Sequence, residues 1–188
     1  MATTAFLFPG QGAQYVGMGQ SLYDAYDRAA ERIDAANEVL GFDLRALMFG
    51  TAEVDDPEAA LTATEVTQPA LYTHSLAAMA VLDARGAAPS MMAGHSLGEY
   101  SALAAAGALS FEDGLRLVRR RGQLMAEAGE QRPGTMAAVL GANDEDVEAA
   151  CTAATEAGDG VVQPANFNAP GQIVISGDVE AVERATER

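Results

Sequence analysis

"PSMMAGHSLGEYSALAAAGAL", residues 89–109, decides how this chain is read. A short apolar run meets "GHSLG", with Ser96 between Gly94 and Gly98, and a stretch of small residues follows. The expected order is strand, sharp turn, helix. On such a turn the serine Oγ is pushed out of the sheet, and glycines two residues to either side remove Cβ atoms that would clash. The N–H of Leu97 opens the helix and can donate to an oxyanion. A five-residue pattern is common by chance. Its flanks are what make Ser96 a candidate nucleophile rather than a turn serine.

A nucleophilic serine needs a base. His95 is its neighbour, but side chains that adjoin on a sharp elbow point apart, so His95 is expected to pack under the turn with its ring nitrogens hydrogen-bonded. His74 falls on a helix near the edge of a Leu71/Ala78/Leu82 face and reads as structural. The chain has 2 histidines in all. They cannot form a usual zinc site without matching cysteine or carboxylate spacing, so no metal is expected. Cys151 is the 1 cysteine. It reads as a small buried hydrophobe on a helix and excludes an internal disulfide, which fits a cytoplasmic protein.

Two further stretches carry chemistry. "FPGQGAQ", residues 8–14, has glycines at 10 and 12, but a dinucleotide fingerprint needs a third at 15, which is Tyr15. The better reading is a turn after the first strand that brings backbone N–H groups close to a bound group. "RLVRRRG", residues 116–122, holds four arginines. Taking Leu117 as zero at ~100° per residue, Leu124 lies at roughly −20°, Met125 at ~80° and Val118 at ~100°. Arg121 falls at roughly 40°, inside that apolar stripe, whereas Arg119 falls at about 200° on the far side. A guanidinium facing inward is costly without an anion. A structural Asp or Glu would satisfy it; so would a substrate carboxylate held in two parallel hydrogen bonds.

Composition narrows the class. The 188 residues carry a net charge of −16, and all 11 basic residues are arginine. No broad basic face exists for nucleic acid. No apolar run is long enough for a membrane span, and "MATTAFLFPGQG" lacks the basic start of a signal peptide. Adaptation to a salty cytoplasm and ordinary GC-rich acidity both explain the charge; stability rising between low and molar salt would separate them.

The pattern of elements splits near "GEQRPG", residues 129–134. Before it come a strand over "TTAFLFPG", a helical run over 18–40, short turns over 42–66, and a helix over 68–85 with Pro69 in its first turn. The Ser96 elbow and a helix over 111–128 complete this part. After it the order is β-α-β-β-α. "TMAAVLG", "GVVQPAN" and "QIVISG" are strands, "FNAPG" links the last two, and Asn143 and Asp178 cap the helices. A split β-α-β-β-α-β unit needs one more strand.

The chain resembles the acyltransferase family of fatty-acid and polyketide synthesis, which includes the malonyl-CoA:acyl carrier protein transacylases. The matching stretches are "FPGQGAQYVGMG", "TQPALYTHSLA", "MMAGHSLGEYSALAAAGALSFEDGLRLVRRRGQLM", "GTMAAVLG" and "NFNAPGQIVISGDVEAVERA". The resemblance implies an α/β fold. Residues 1–131 would form an α/β-hydrolase-like large subdomain and residues 132–188 an inserted ferredoxin-like small subdomain, both incomplete at the C-terminus. It implies Ser96 as the acylated serine, Arg121 as the holder of the malonyl carboxylate, and the N–H groups of Gln11 and Leu97 as the oxyanion hole. It implies malonyl-CoA as donor, acyl carrier protein as acceptor, no cofactor, and a monomer at full length. The family's activating histidine and the glutamine that orients it match nothing in these residues, so little turnover is expected from them alone. A polyketide-synthase acyltransferase domain, a serine thioesterase or esterase, and a non-catalytic binding fragment are the alternatives.

Overall fold

The computed structural model describes residues 3–187. The chain divides into two compact units, residues 1–126 and 127–188.

The first unit runs β1 (Ala5–Phe8), α1 (Gln20–Ala25), α2 (Asp27–Leu40), α3 (Leu44–Phe49), α4 (Pro57–Thr62), α5 (Thr64–Ala84), β2 (Met91–Gly94), α6 (Leu97–Ala105) and α7 (Phe111–Gln131), whose last turns cross into the second unit. β1 and β2 pair in parallel, from Ala5 opposite Met91 to Phe8 opposite Gly94. Parallel pairing sets the carboxyl ends of both strands side by side, so the turn after Phe8 and the turn after Gly94 meet. In open α/β sheets that is the end where ligands bind. The helices enclose a core that includes Met18, Leu44, Met48, Leu71, Leu97 and Leu115.

Three local expectations change. The run over 18–40 is two helices, because Tyr26 is extended (φ −141°) and breaks the ladder. α5 starts at Thr64, so Pro69 lies inside the helix rather than at its first turn. A proline there removes a donor and leaves the carbonyl four residues back, that of Glu65, without its helical partner. The apolar stripe of α7 is also rotated from the expected one. Its buried residues are Phe111, Gly114, Leu115, Val118 and Gly122, while Leu117, Leu124 and Met125 are exposed. With Leu117 at zero and ~100° per residue, the buried face centres at ~115°, so Arg121 and Arg119 sit about 80° to either side of it. Both arginines therefore flank the core. Long aliphatic residues drew the expected stripe, but two glycines and a phenylalanine define the real one, because close approach needs small residues.

The second unit continues with β3 (Gly134–Leu140), α8 (Asp144–Glu156), β4 (Val162–Ala169), β5 (Gln172–Asp178) and α9 (Val179–Thr186). Its antiparallel sheet has the order β3-β5-β4. "FNAPG" is mostly strand: β4 runs on to Ala169, and the reversal is confined to residues 170–171, with Gly171 at φ 75°. Asn143 caps α8 by accepting from Asp146 N–H at 2.9 Å. Asp178 occupies the N-cap position of α9, as expected, but its side chain makes no capping hydrogen bond. Its carboxylate instead takes Arg132 Nε and Nη2 at 2.7 and 2.6 Å and the N–H of Val161 at 2.6 Å. Cys151 is buried with Val147, Ile173, Ile175 and Val182. Burial pushes its thiol pKa up, which keeps it protonated and unreactive.

Candidate active site

Ser96 has φ 52° and ψ −108°, and it is the one non-glycine residue with positive φ among the described residues. For a residue with a Cβ this is a strained conformation. The surroundings enforce it. A Cβ on Gly94 would stand 2.0 Å from the carbonyl carbon and oxygen of Gly98, and one on Gly98 would stand 2.1 Å from Phe8 O. Both contacts are with backbone, which cannot move aside. His95 N–H donates to Phe8 O at 3.1 Å, which carries the β1–β2 ladder up to the elbow. Gly98 N–H donates back to His95 O at 2.8 Å. Leu97, buried, is the first residue of α6, so its N–H has no acceptor within the helix.

The turn after β1 presses on the same place. A Cβ on Gly10 would lie 2.6 Å from His95 O and 2.9 Å from His95 Nδ1. Gln11 follows directly, and its side-chain amide donates to Thr64 Oγ1 at the start of α5, 3.3 Å away. The glycine turn and the elbow are therefore one structural feature.

Arg121 reaches this feature from α7. Its Nη2 donates to Ser96 Oγ at 3.0 Å and its Nη1 to Gln68 Oε1 at 2.7 Å. The guanidinium also lies 5.9 Å from the ring centroid of Tyr100, within reach of a cation–π attraction. Both hydrogen-bond partners are neutral, so neither cancels the charge. Ser96 and Arg121, singled out separately in the sequence, are in contact.

Sequence reasoning gave no role to Gln68, which is fully buried on α5. Its oxygen fixes Arg121, and its Nε2 faces Met125 Sδ at 3.2 Å. The available signal was an amide beside a proline, one turn before Leu71 and Tyr72. Tyr100 was missed for the opposite reason: it reads as an ordinary aromatic on a helix of small residues.

The histidines divide. His95 is exposed rather than packed beneath the turn. His74 is half-buried on α5, and its Nδ1 has no hydrogen-bond partner among the described residues. That nitrogen lies 3.3 Å from where a Cβ of Gly19 would be, a position that also meets Met48 and Ile33 side chains. Desolvation holds the His74 pKa below its ordinary value, so the ring is kept neutral. No cluster of three or more potential metal ligands occurs among the described residues, and no described helix is long and apolar enough to cross a membrane.

A strained serine between enforced glycines thus stands at the carboxyl end of parallel strands and under an arginine. The chain belongs to the acyl transferase domain family, which matches residues 5–188. It is 47% identical over 188 residues to the malonyl CoA-acyl carrier protein transacylase of Staphylococcus aureus (strain MRSA252), covering 100% of this chain and 58% of that protein. A crystal structure of MCAT from Streptococcus pneumoniae matches at 52% identity and TM-score 0.88, covering 98% of this chain and 58% of that one. A type II PKS acyl-carrier protein in complex with its malonyl-transacylase matches at 43% identity and TM-score 0.88, over 99% and 58% of the two chains. The chain thus spans less than two thirds of the length of these relatives.

Proposed function

We propose that these residues hold the nucleophile and the carboxylate clamp of a malonyltransferase that moves malonyl from malonyl-CoA to the phosphopantetheine thiol of an acyl carrier protein. In this reading Ser96 Oγ attacks the thioester carbonyl. The C–O bond forms, the C–S bond breaks, and the CoA thiol leaves with the serine's proton. The carrier thiol then attacks the malonyl ester, and Ser96 Oγ takes its proton back. The N–H groups of Leu97 and Gln11 receive the oxyanion in each half. Arg121 holds the free carboxylate, which orients the acyl group and favours transfer to a second thiol over hydrolysis.

The observation that carries the reading is the Arg121 guanidinium, 3.0 Å from Ser96 Oγ with a neutral amide as its other partner. An esterase for neutral acyl groups has no use for that charge. The reading assigns the proton of Ser96 to neither His74 nor His95, so turnover requires an acceptor that these residues do not supply. It also divides the chain as the resemblance does, with a ferredoxin-like subdomain following the elbow-bearing one, and it places the protein in the cytoplasm. The relationship to a transacylase bound to a type II PKS carrier favours a second acceptor class, a polyketide carrier, on the same chemistry.

The test is ligand preference. Malonyl-CoA is expected to bind about 10- to 100-fold more tightly than acetyl-CoA, the range of a hydrogen bond to a charged group. Arg121→Ala should abolish the preference in calorimetric titrations. Equal affinities in the parent chain would remove the reading.

A further inference from the structure

The two arginines that flank the buried face of α7 both grip α5, at neighbouring points. Arg119 donates from Nη1 to the carbonyl of Glu65. That carbonyl is the one Pro69 deprives of its helical donor. Arg119 is half-buried, and its guanidinium lies 5.0 Å from the ring centroid of Phe42. Gly122, three residues on, presses its backbone against the same turn: a Cβ there would stand 2.7 Å from Glu65 Cα and 2.8 Å from Thr64 O. One helical turn after Glu65 comes Gln68, whose oxygen holds Arg121 at 2.7 Å.

We infer that Arg119 is a positioning residue for Arg121: it replaces the hydrogen bond that Pro69 removes, fixes the first turns of α5 against α7, and so sets where the Arg121 guanidinium stands over Ser96. The chain of contacts is short and covalently tied at both ends. Arg119 and Arg121 are two residues apart on one rigid helix, and Glu65 and Gln68 are three apart on another. An unpaired Glu65 carbonyl would have to find water or another donor. The turn would shift to do so, and Gln68 would move with it. Arg121 would then keep its charge but lose its aim, and an error of about an ångström is enough to weaken a site of this kind.

The inference rests on the reading of Arg121 as the malonyl clamp, and the test keeps the two apart. The quantity to measure, in the full chain, is the ratio of the acetyl-CoA to the malonyl-CoA dissociation constant. Arg119→Met is expected to lower that ratio about 3- to 10-fold, the size of coupling between residues in one network. Arg119→Lys, which can still donate to a carbonyl, should keep most of it. Pro69→Ala restores an N–H for Glu65, so Arg119→Met made in that background should leave the ratio near the parent value. That rescue would not occur if Arg119 only added general stability. An unchanged ratio in Arg119→Met, or an equal fall with and without Pro69, overturns the inference. Should Arg119→Met not fold, the double variant decides: a full ratio supports the inference and a lost one overturns it. A preference that vanishes in Arg121→Ala but survives in Arg119→Met overturns this inference alone. No preference in the parent chain removes the clamp reading and this inference together.

Discussion

Arg121 and Arg132 lie in different units and show two ways to hold a guanidinium. Arg132 is mostly exposed and meets both oxygens of Asp178. Its charge is matched, and its effect is local: with the N–H of Val161 it ties the start of β3 to the end of β5. Arg121 is half-buried and holds a serine and an amide. Its charge remains available to a ligand. A matched arginine is part of the scaffold; one held by neutral groups over a strained serine keeps its charge uncancelled, as the proposed clamp requires.

The sharpest way to break this contrast is to disturb the elbow that presents Ser96 to Arg121. Gly98→Ala puts a Cβ 2.1 Å from Phe8 O, so the β1–β2 pair must separate. A stability loss of about 3 kcal/mol or more is expected, read from the denaturant midpoint. A loss near zero would mean the elbow has room that its geometry denies. Next comes a direct exchange of roles. Arg121→Ala should erase a malonyl preference of about 10- to 100-fold while leaving the unfolding midpoint almost unchanged. Arg132→Ala should leave the preference intact and loosen the second unit. Hydrogen exchange of β3 and β5 amides would report that loosening, and the opposite pattern would invert the comparison.

The smallest effects separate the units by pH. The Asp178 carboxyl is held down to about 2 from 3.8, first by the Arg132 side chain and then by the Val161 N–H. Its folded pKa is depressed, so its contribution is whole above pH 3.8 and is lost as pH falls toward about 2. The His74 pKa is also lowered, from 6.5, by burial. There the unfolded chain binds the proton more readily, so the first unit weakens as pH falls below 6.5. Hydrogen exchange at stepped pH should show α5 opening before the β3-β5-β4 sheet. His74→Gln should flatten the first change and Asp178→Asn the second. Simultaneous loss in both units would show that these two groups do not set the acid response.

Much of the fold was legible from local signals. The elbow, the β-α-β-β-α order and the Asn143 cap all follow from residues a few positions apart, where sterics and hydrogen-bond reach act within one turn. The failures have a common cause. Pro69 looked like a first-turn residue because proline is best tolerated there, yet α5 starts five residues earlier and a side chain from α7 serves the carbonyl it leaves bare. Asp178 holds the N-cap position, but an arginine and the N–H of Val161, just before β4, take the carboxylate that would have capped α9. The α7 stripe was drawn through leucines and a methionine, whereas the buried face follows Gly114 and Gly122, which allow Tyr72 and α5 to approach closely.

Sequence alone therefore determined the nucleophile-type elbow, the glycines it needs and the family, because each depends on residue identity at fixed short spacing. It could mark Arg121 as unusual but not say what the guanidinium met. Only the tertiary structure decided that Ser96 and Gln68 share it, and that Arg119 supplies the bond Pro69 withholds. Those contacts join residues 25 to 54 positions apart. Their partners are set by how helices pack, which no local pattern encodes.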